Sequence, residues 1–182
     1  RVVRMKRAVL SIVAVVVLAS LPAIAHAQQP DEFERWNAFG EGSTLSADSV
    51  VDMGKMQIAT KIKSTLKKKE ADKITLTVEV ETNGKTSSSE RVIEKGKKAS
   101  ECAGCKKAHK EAVVKESGTE KVKIGDKEIE AKVLEVTAYG CADKETAMKL
   151  WTSKEVPGGM VKSEMKIEQG TSNYAVTAFE KK

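Results

Sequence analysis

Apolar and polar residues alternate with a period of two along much of the chain after residue 43. The clearest alternation lies in residues 74–81, where the apolar positions are Ile74, Leu76, Val78 and Val80. An earlier segment also places its apolar residues on one face, namely Met56, Ile58, Ile62 and Leu66. Alternation of β-branched with polar residues is typical of strands that have one buried face and one wet face. The pattern therefore predicts a sheet with a core on one side.

Turn-forming pairs separate the predicted strands. Asn83-Gly84 is a strong hairpin signal, and it leads into a polar strand, Lys85 to Glu94, that we expect at a sheet edge. A second hairpin is predicted around Gly125-Asp126, between strands at 121–124 and 127–137. The remaining strands are predicted at 147–153, 161–167 and 173–180. Together they predict a mainly β fold, a strongly curved antiparallel meander sheet that forms an open or half barrel.

One segment, residues 95–118, breaks the alternation. It is rich in Lys and Glu and contains Cys102 and Cys105. Ser100 is a suitable N-cap for a short helix that extends to Ala112. We therefore expect a partly helical, cysteine-containing excursion from the sheet.

The N-terminal segment has the three parts of a secretory signal peptide. Its basic residues are Arg1, Arg4, Lys6 and Arg7. An apolar run follows at 8–18, and small residues flank His26 in the pattern Ala25-His26-Ala27. This arrangement predicts a signal helix over residues 1–27, cleaved on export to the periplasm or the extracellular space. Residues 28–182 are then expected to form a single β-rich domain that has no membrane span.

The alternative is an uncleaved membrane anchor. The apolar stretch from Ala8 to Ala25 has 18 residues, near the lower end of the roughly 17–25 needed to span a bilayer. Pro22 and the Ala-His-Ala pattern favour cleavage. Beyond the cleavage site, residues 28–34 are expected to form a flexible leader, and Trp36 to Gly40 a helical turn or the start of a strand.

Charge and composition argue against several function classes. The chain has 32 Lys and Arg against 26 Asp and Glu, a formal charge of +6. Without residues 1–27 the counts are 28 and 26, a charge of +2, with acids and bases interleaved. Nucleic-acid binding requires a clustered basic face, so we do not expect it. His109 is the one histidine after residue 27, and phosphate-binding and dinucleotide motifs are missing from the sequence, so we expect a protein that is not an enzyme.

The cysteines are the feature with the most chemical character. Cys102 and Cys105 form a CxxC pair, with His109 four residues later and Cys141 further along. In an exported protein a disulfide is the default, either between Cys102 and Cys105 or between one of them and Cys141. The same four side chains also have the number and type of ligands for a tetrahedral metal site. A thiol-redox pair is a further alternative, whereas Lys106 after the second cysteine disfavours haem attachment. We expect no cofactor.

The C-terminal third resembles a known fold type. Residues 151–164 read Trp-Thr-Ser-Lys-Glu-Val-Pro-Gly-Gly-Met-Val-Lys-Ser-Glu, and an amphipathic strand, Gly170 and a closing strand that ends Ala178-Phe179-Glu180 follow. This ending resembles that of lipoprotein carriers of the LolA and LolB type. It is also similar to small exported bacterial proteins, especially from planctomycetes, that have no assigned function. The resemblance implies a curved, unclosed sheet whose apolar concave side cradles an acyl chain or a peptide. The carriers cover that concavity with helices, and the charged segment 95–114 departs from this pattern, so no functional residue is carried over.

These observations favour binding over catalysis. We expect an exported, non-enzymatic β-domain that binds a lipid, another apolar ligand or an envelope protein on a concave face. Trp151 and Met165 are expected in the core, with the lining of a cavity as their alternative. Two other functions stay open: a metal-binding or thiol-redox module built on Cys102, Cys105, His109 and Cys141, and a purely structural envelope protein. The sequence leaves the oligomeric state undetermined.

Overall fold

The computed structural model describes residues 32–96, 112–139, 145–167 and 170–182. These residues form one short helix, α1 (Glu32–Asn37), and nine strands. The strands are β1 (Thr44–Asp52), β2 (Gln57–Lys69), β3 (Lys73–Thr82), β4 (Lys85–Glu94), β5 (Val113–Ile124), β6 (Lys127–Tyr139), β7 (Glu145–Thr152), β8 (Met160–Ile167) and β9 (Gly170–Glu180). All of them belong to one antiparallel sheet, which confirms the predicted mainly β, antiparallel meander.

The sheet consists of two meanders joined at its centre. The strand order is β4-β3-β2-β1-β9-β8-β7-β6-β5, so β1 pairs with β9 and the edges are β4 and β5. The sheet is not closed, because its edge strands do not pair with each other. Eight successive antiparallel pairings separate these edges, so β4 and β5 run parallel. Parallel strands require a long connection in place of a tight turn, and residues 95–112 supply it.

The structure differs from the sequence-based predictions in three places, two of them in strands and one at the N-terminal side of the sheet. Strand β5 begins at Val113, so residues 113–118 belong to the sheet and the prediction of an excursion through residue 118 is wrong there. This strand is exposed along most of its length, so no apolar alternation marks it. Met56 lies before β2 and is 51% exposed, unlike the buried residues of that strand. Residues 32–34 belong to α1, where Phe33 is buried, and so they are not part of a flexible leader.

A single cluster of apolar side chains forms the main core. It draws on strands from both meanders, and α1 supplies Phe33 and Trp36, which are 1% and 3% exposed. Phe39, just after the helix, belongs to the same cluster. Helix α1 lies against β3 and β4. Burial of these three aromatic rings therefore fixes a helix that is too short to be stable alone.

Strand β6 contributes to both faces of the sheet. Ile129 and Val133 belong to the main core, whereas Leu134 and Val136 form a second cluster with Leu150 of β7. Successive side chains of a strand point to opposite faces, so Val133 and Leu134 lie on opposite sides of β6. The second cluster also contacts partly buried side chains, namely Ala112, Val114, Met148 and Met160.

A row of hydroxyl groups crosses the sheet between the apolar positions. Neighbouring strands align these residues in the order Thr82, Thr60, Ser49, Tyr174 and Ser163. Thr60 and Thr82 share a hydrogen bond of 3.1 Å between their Oγ1 atoms. Burial raises the pKa of Tyr174 well above its usual value, so its phenol stays protonated at physiological pH. By register the row continues to Leu150 and Leu134, which places the second cluster on the same face as Tyr174.

Several sequence-based predictions fall outside the described residues. They are the signal peptide over residues 1–27, the helix expected from Ser100 to Ala112, and the proposed ligands Cys102, Cys105, His109 and Cys141. In the part of the chain that the structure describes, no helix has the length and hydropathy to cross a membrane.

Candidate functional site

A cavity of about 500 Å³ lies beside α1, between the helix, the strands β5 and β6, and the loop that joins β7 to β8. The helix side is formed by Glu34, Arg35 and Ala38. The strand side is formed by Glu116, Glu130, Lys132 and Leu134, and the loop side by Thr152, Ser153, Lys154, Val156 and Gly159. The cavity is therefore built by three segments that are far apart in the sequence.

The lining of the cavity includes three apolar residues, Leu134, Val156 and Ala38. Leu134 connects it to the second hydrophobic cluster, where it contacts Val136 and Leu150. Val156 on the loop side is fully buried, and Ala38 on the helix side adds a small apolar surface. An apolar ligand that entered the cavity would displace water from the exposed Ala38, whereas Val156 is already closed off from water.

Half of the residues that line the cavity are charged. The acidic ones are Glu34, Glu116 and Glu130, and the basic ones are Arg35, Lys132 and Lys154. Lys132 Nζ lies 3.2 Å from a carboxylate oxygen of Glu116, and Lys95 Nζ lies 3.7 Å from one of Glu34. The formal charges of the lining balance. The cavity is thus better suited to a ligand with a large apolar part than to a strongly charged one.

Close packing of the β7–β8 loop against α1 fixes one side of the cavity. Ser153 N–H donates to the carbonyl oxygen of Gly159 at 2.9 Å, which closes the loop. A Cβ atom at Gly159 would lie 2.7 Å from Cδ of Arg35, and one at Gly158 would lie 3.0 Å from Nε1 of Trp36. The residues Pro157-Gly158-Gly159 are typical of a turn between strands, but their contact with the helix was not predicted from the sequence. The two adjacent glycines were the one signal of a close approach by another segment.

Trp151 belongs to the core and does not line the cavity. It is 3% exposed, and the ammonium groups of Lys149 and Lys162 lie 4.6 and 4.4 Å from the centre of its ring. Its indole Nε1–H donates to Glu120 at 2.7 Å. Met165 is half-buried on β8 and is also outside the cavity lining. Both residues thus follow the core interpretation of the sequence, although Met165 does so only in part.

The bond between Trp151 and Glu120 predicts a pH-dependent signal. The indole N–H and the Lys149 ammonium, in that order, lower the pKa of the Glu120 carboxyl. Since the folded pKa is lower than the unfolded one, the bond favours the folded state at neutral pH and loses that effect as the pH falls through the folded pKa. We expect the Nε1–H resonance of Trp151 to shift with a midpoint below the usual glutamate pKa. Glu120→Gln should remove this step, and a step at the usual glutamate pKa in the parent protein would contradict the assignment.

The structure does not test the hypotheses that are based on the cysteines. Cys102, Cys105, His109 and Cys141 lie outside the described residues. Among the residues that are described, no group of three or more His, Cys, Asp or Glu side chains is arranged to hold a metal ion. The disulfide, metal and thiol-redox alternatives remain predictions.

The described residues form an antiparallel β-sheet with a lateral cavity that both apolar and charged side chains line. The sequence matches no family model and no curated protein.

Proposed function

We propose that this protein is an exported, non-enzymatic binding protein that holds an apolar ligand in the cavity beside α1. The observation that carries the proposal is the cavity itself, about 500 Å³ in volume, with Leu134, Val156 and Ala38 among its lining residues. This volume lies within the range of about 300–1,000 Å³ that is usual for small-molecule sites. The apolar residues of the lining supply affinity, and the charged ones orient a polar end of the ligand.

Strand register supports a binding face on the inner side of a strongly curved sheet. The second cluster, with Leu134 and Leu150, shares a face with the buried Ser163 and Tyr174. The cavity is lined by Leu134 of this cluster, and α1 forms another of its sides. A concave face covered by a helix is the arrangement that the lipoprotein-carrier resemblance implies. We therefore propose an acyl chain or a similar flexible apolar group as the ligand.

A cavity-filling variant tests this proposal. Ala38 is exposed and lines the cavity, so Ala38→Trp places an indole in the ligand space and leaves the core unchanged. We expect the variant to bind a fluorescent fatty acid about tenfold or more weakly, a change of about 1.4 kcal/mol. Fluorescence titration measures this affinity, and native mass spectrometry after mild extraction shows whether the parent protein carries a ligand.

Ala175→Trp is the matched control. Ala175 is an equally exposed alanine on β9, outside the cavity lining, so this variant should bind as the parent does. Equal losses in both variants would assign the effect to the added indole rather than to the cavity. Parent protein that is always ligand-free and takes up no fatty acid would contradict the proposal.

A further inference from the structure

The two edges of the sheet differ in how well they are protected from pairing with another chain. Strand β5 has a bulge between Glu116 and Gly118. Its charged residues are Lys115, Glu116, Glu120, Lys121 and Lys123. Bulges and dense charge are devices that keep an edge strand from pairing. The β5 edge is therefore protected.

Strand β4 is a regular edge without a bulge, and its charged residues, Lys85, Glu90, Arg91 and Glu94, leave the run from Thr86 to Ser89 uncharged. It pairs with β3 through ten residues without a register shift, and of its own residues only Ile93 is buried. Its centre is the small, neutral run Ser87, Ser88 and Ser89, and Val92 is a large apolar side chain that is 55% exposed. Within the described residues, the outer side of β4 has no neighbouring strand. Unpaired backbone groups on a straight edge are a template for another strand.

We propose that β4 pairs with β4 of a second copy of this chain, antiparallel and centred on Ser89. In such a pair a two-fold axis runs perpendicular to the sheet, so one residue lies opposite itself and the others pair symmetrically around it. Only residues at even separation can then face each other, because both copies keep the same face. The possible registers of the ten-residue strand are therefore few.

Charge selects one register among those that pair seven or more residues of β4, which are centred on Ser88, Ser89, Glu90 and Arg91. A centre at Ser88 places Lys85 opposite the partner's Arg91. Centres at Glu90 and at Arg91 place each of these charges opposite its own copy. Directly opposed like charges are destabilising in a sheet. The register centred on Ser89 has no directly opposed like charges, since it places Arg91 opposite the partner's Ser87 and Glu90 opposite the partner's Ser88.

The same register gives the exposed apolar residue a neighbour. Val92 lies opposite the partner's Thr86, and aliphatic and threonine side chains pack well across strands. Glu90 is already paired with Lys67 and Arg91 with Glu32 of α1, so neither charge is brought to the new interface without a partner. The guanidinium of Arg91 has five N–H donors, which leaves donors for a second acceptor.

Two substitutions, one that introduces a negative charge at position 87 and one that introduces a positive charge there, test the register. Ser87 faces Val80 within its own chain and Arg91 in the proposed dimer, so a new charge there meets an ionised partner across the interface. We expect Ser87→Glu to tighten the dimer roughly threefold to tenfold and Ser87→Lys to weaken it by a similar factor, since each dimer contains two such pairs. Sedimentation equilibrium across the micromolar to millimolar range measures the dimer, using the full chain expressed with its N-terminal segment so that processing takes place. Urea unfolding of each variant separates changes in fold stability from changes in association.

Thr119→Glu and Thr119→Lys are the matched controls, because Thr119 is an exposed residue on the other edge of the sheet. Both should associate as the parent does. A parent protein that is monomeric throughout the range would overturn the proposal. A dimer that shifts in the same direction with both charges at position 87, or that responds to the charges at position 119, would also overturn it. The cavity proposal is unaffected by either result, since β4 contributes no residue to the cavity lining.

Discussion

Replacing Trp36 with alanine is expected to lower the free energy of unfolding by about 3–5 kcal/mol, the usual cost of removing a buried aromatic side chain. Trp36 is 3% exposed in the main core. Helix α1 has six residues and cannot persist without such packing. Loss of the indole also removes the contact with the loop at Gly158, so we expect fatty-acid uptake in the cavity to fall together with stability. Urea unfolding and fluorescence titration measure the two effects.

Glu34→Ala is the control for the helix. Its side chain is 46% exposed, and its ion pair with Lys95 is long at 3.7 Å. Exposed substitutions of this kind usually change stability by about 0.5 kcal/mol or less. A Trp36→Ala loss no larger than that of Glu34→Ala would show that α1 is not anchored by its aromatic side chain.

The sequence pattern predicts strands wherever one face is buried. Residues 74–81 alternate strictly because Leu76 and Val78 face the core while Thr77 and Glu79 face solvent. The same rule identifies most of β2 and the hairpin at Gly125. It fails for the first part of β5, because most of the side chains in residues 113–120 are exposed and no apolar alternation marks them, whereas residues 121–124 were predicted. The alternation of apolar and polar residues therefore indicates that one face is buried, and it identifies a strand only where one face is buried.

The alternation of apolar and polar residues could not predict which distant strands pair with each other. The pairing of β1 with β9 joins segments that are more than a hundred residues apart, and period-two alternation gives the face of a strand but not its neighbour. The candidate site was still harder to predict, because its cavity combines α1 with a loop near Val156 and with Leu134 on β6. Leu134 reads as one more apolar strand residue, and its opposite-face neighbour Val133 reads the same way. Only the observed packing separates the residue that lines a cavity from the one that fills the core.

A glycine at the start of β9 provides the second large effect. Gly170→Ala is expected to destabilise the fold by about 3 kcal/mol or more, at the upper end of the usual cost of overpacking. A Cβ atom at Gly170 would lie 1.7 Å from the carbonyl oxygen of Asp52 and 3.2 Å from Cα of Met53. These are backbone atoms, so no side-chain rotation relieves the clash, and the end of the β1–β9 ladder must separate. Urea unfolding measures the loss, and faster hydrogen exchange at Thr171 and Asp52 locates it.

Gly54→Ala separates the clash from backbone strain. Gly54 has a φ of +76°, and no atom lies within 4 Å of the position that a Cβ atom would take. An alanine there is therefore destabilised only by the left-handed backbone conformation, which costs about 1–2 kcal/mol. The clash at Gly170 should therefore make its variant distinctly the less stable of the two. Since β1 and β9 join the two meanders, a weakened ladder should lower the unfolding midpoint of the whole sheet in one transition. Equal losses for the two variants, or a Gly170 variant that keeps the parent's exchange rates at Thr171, would show that the two strands do not approach as closely as described.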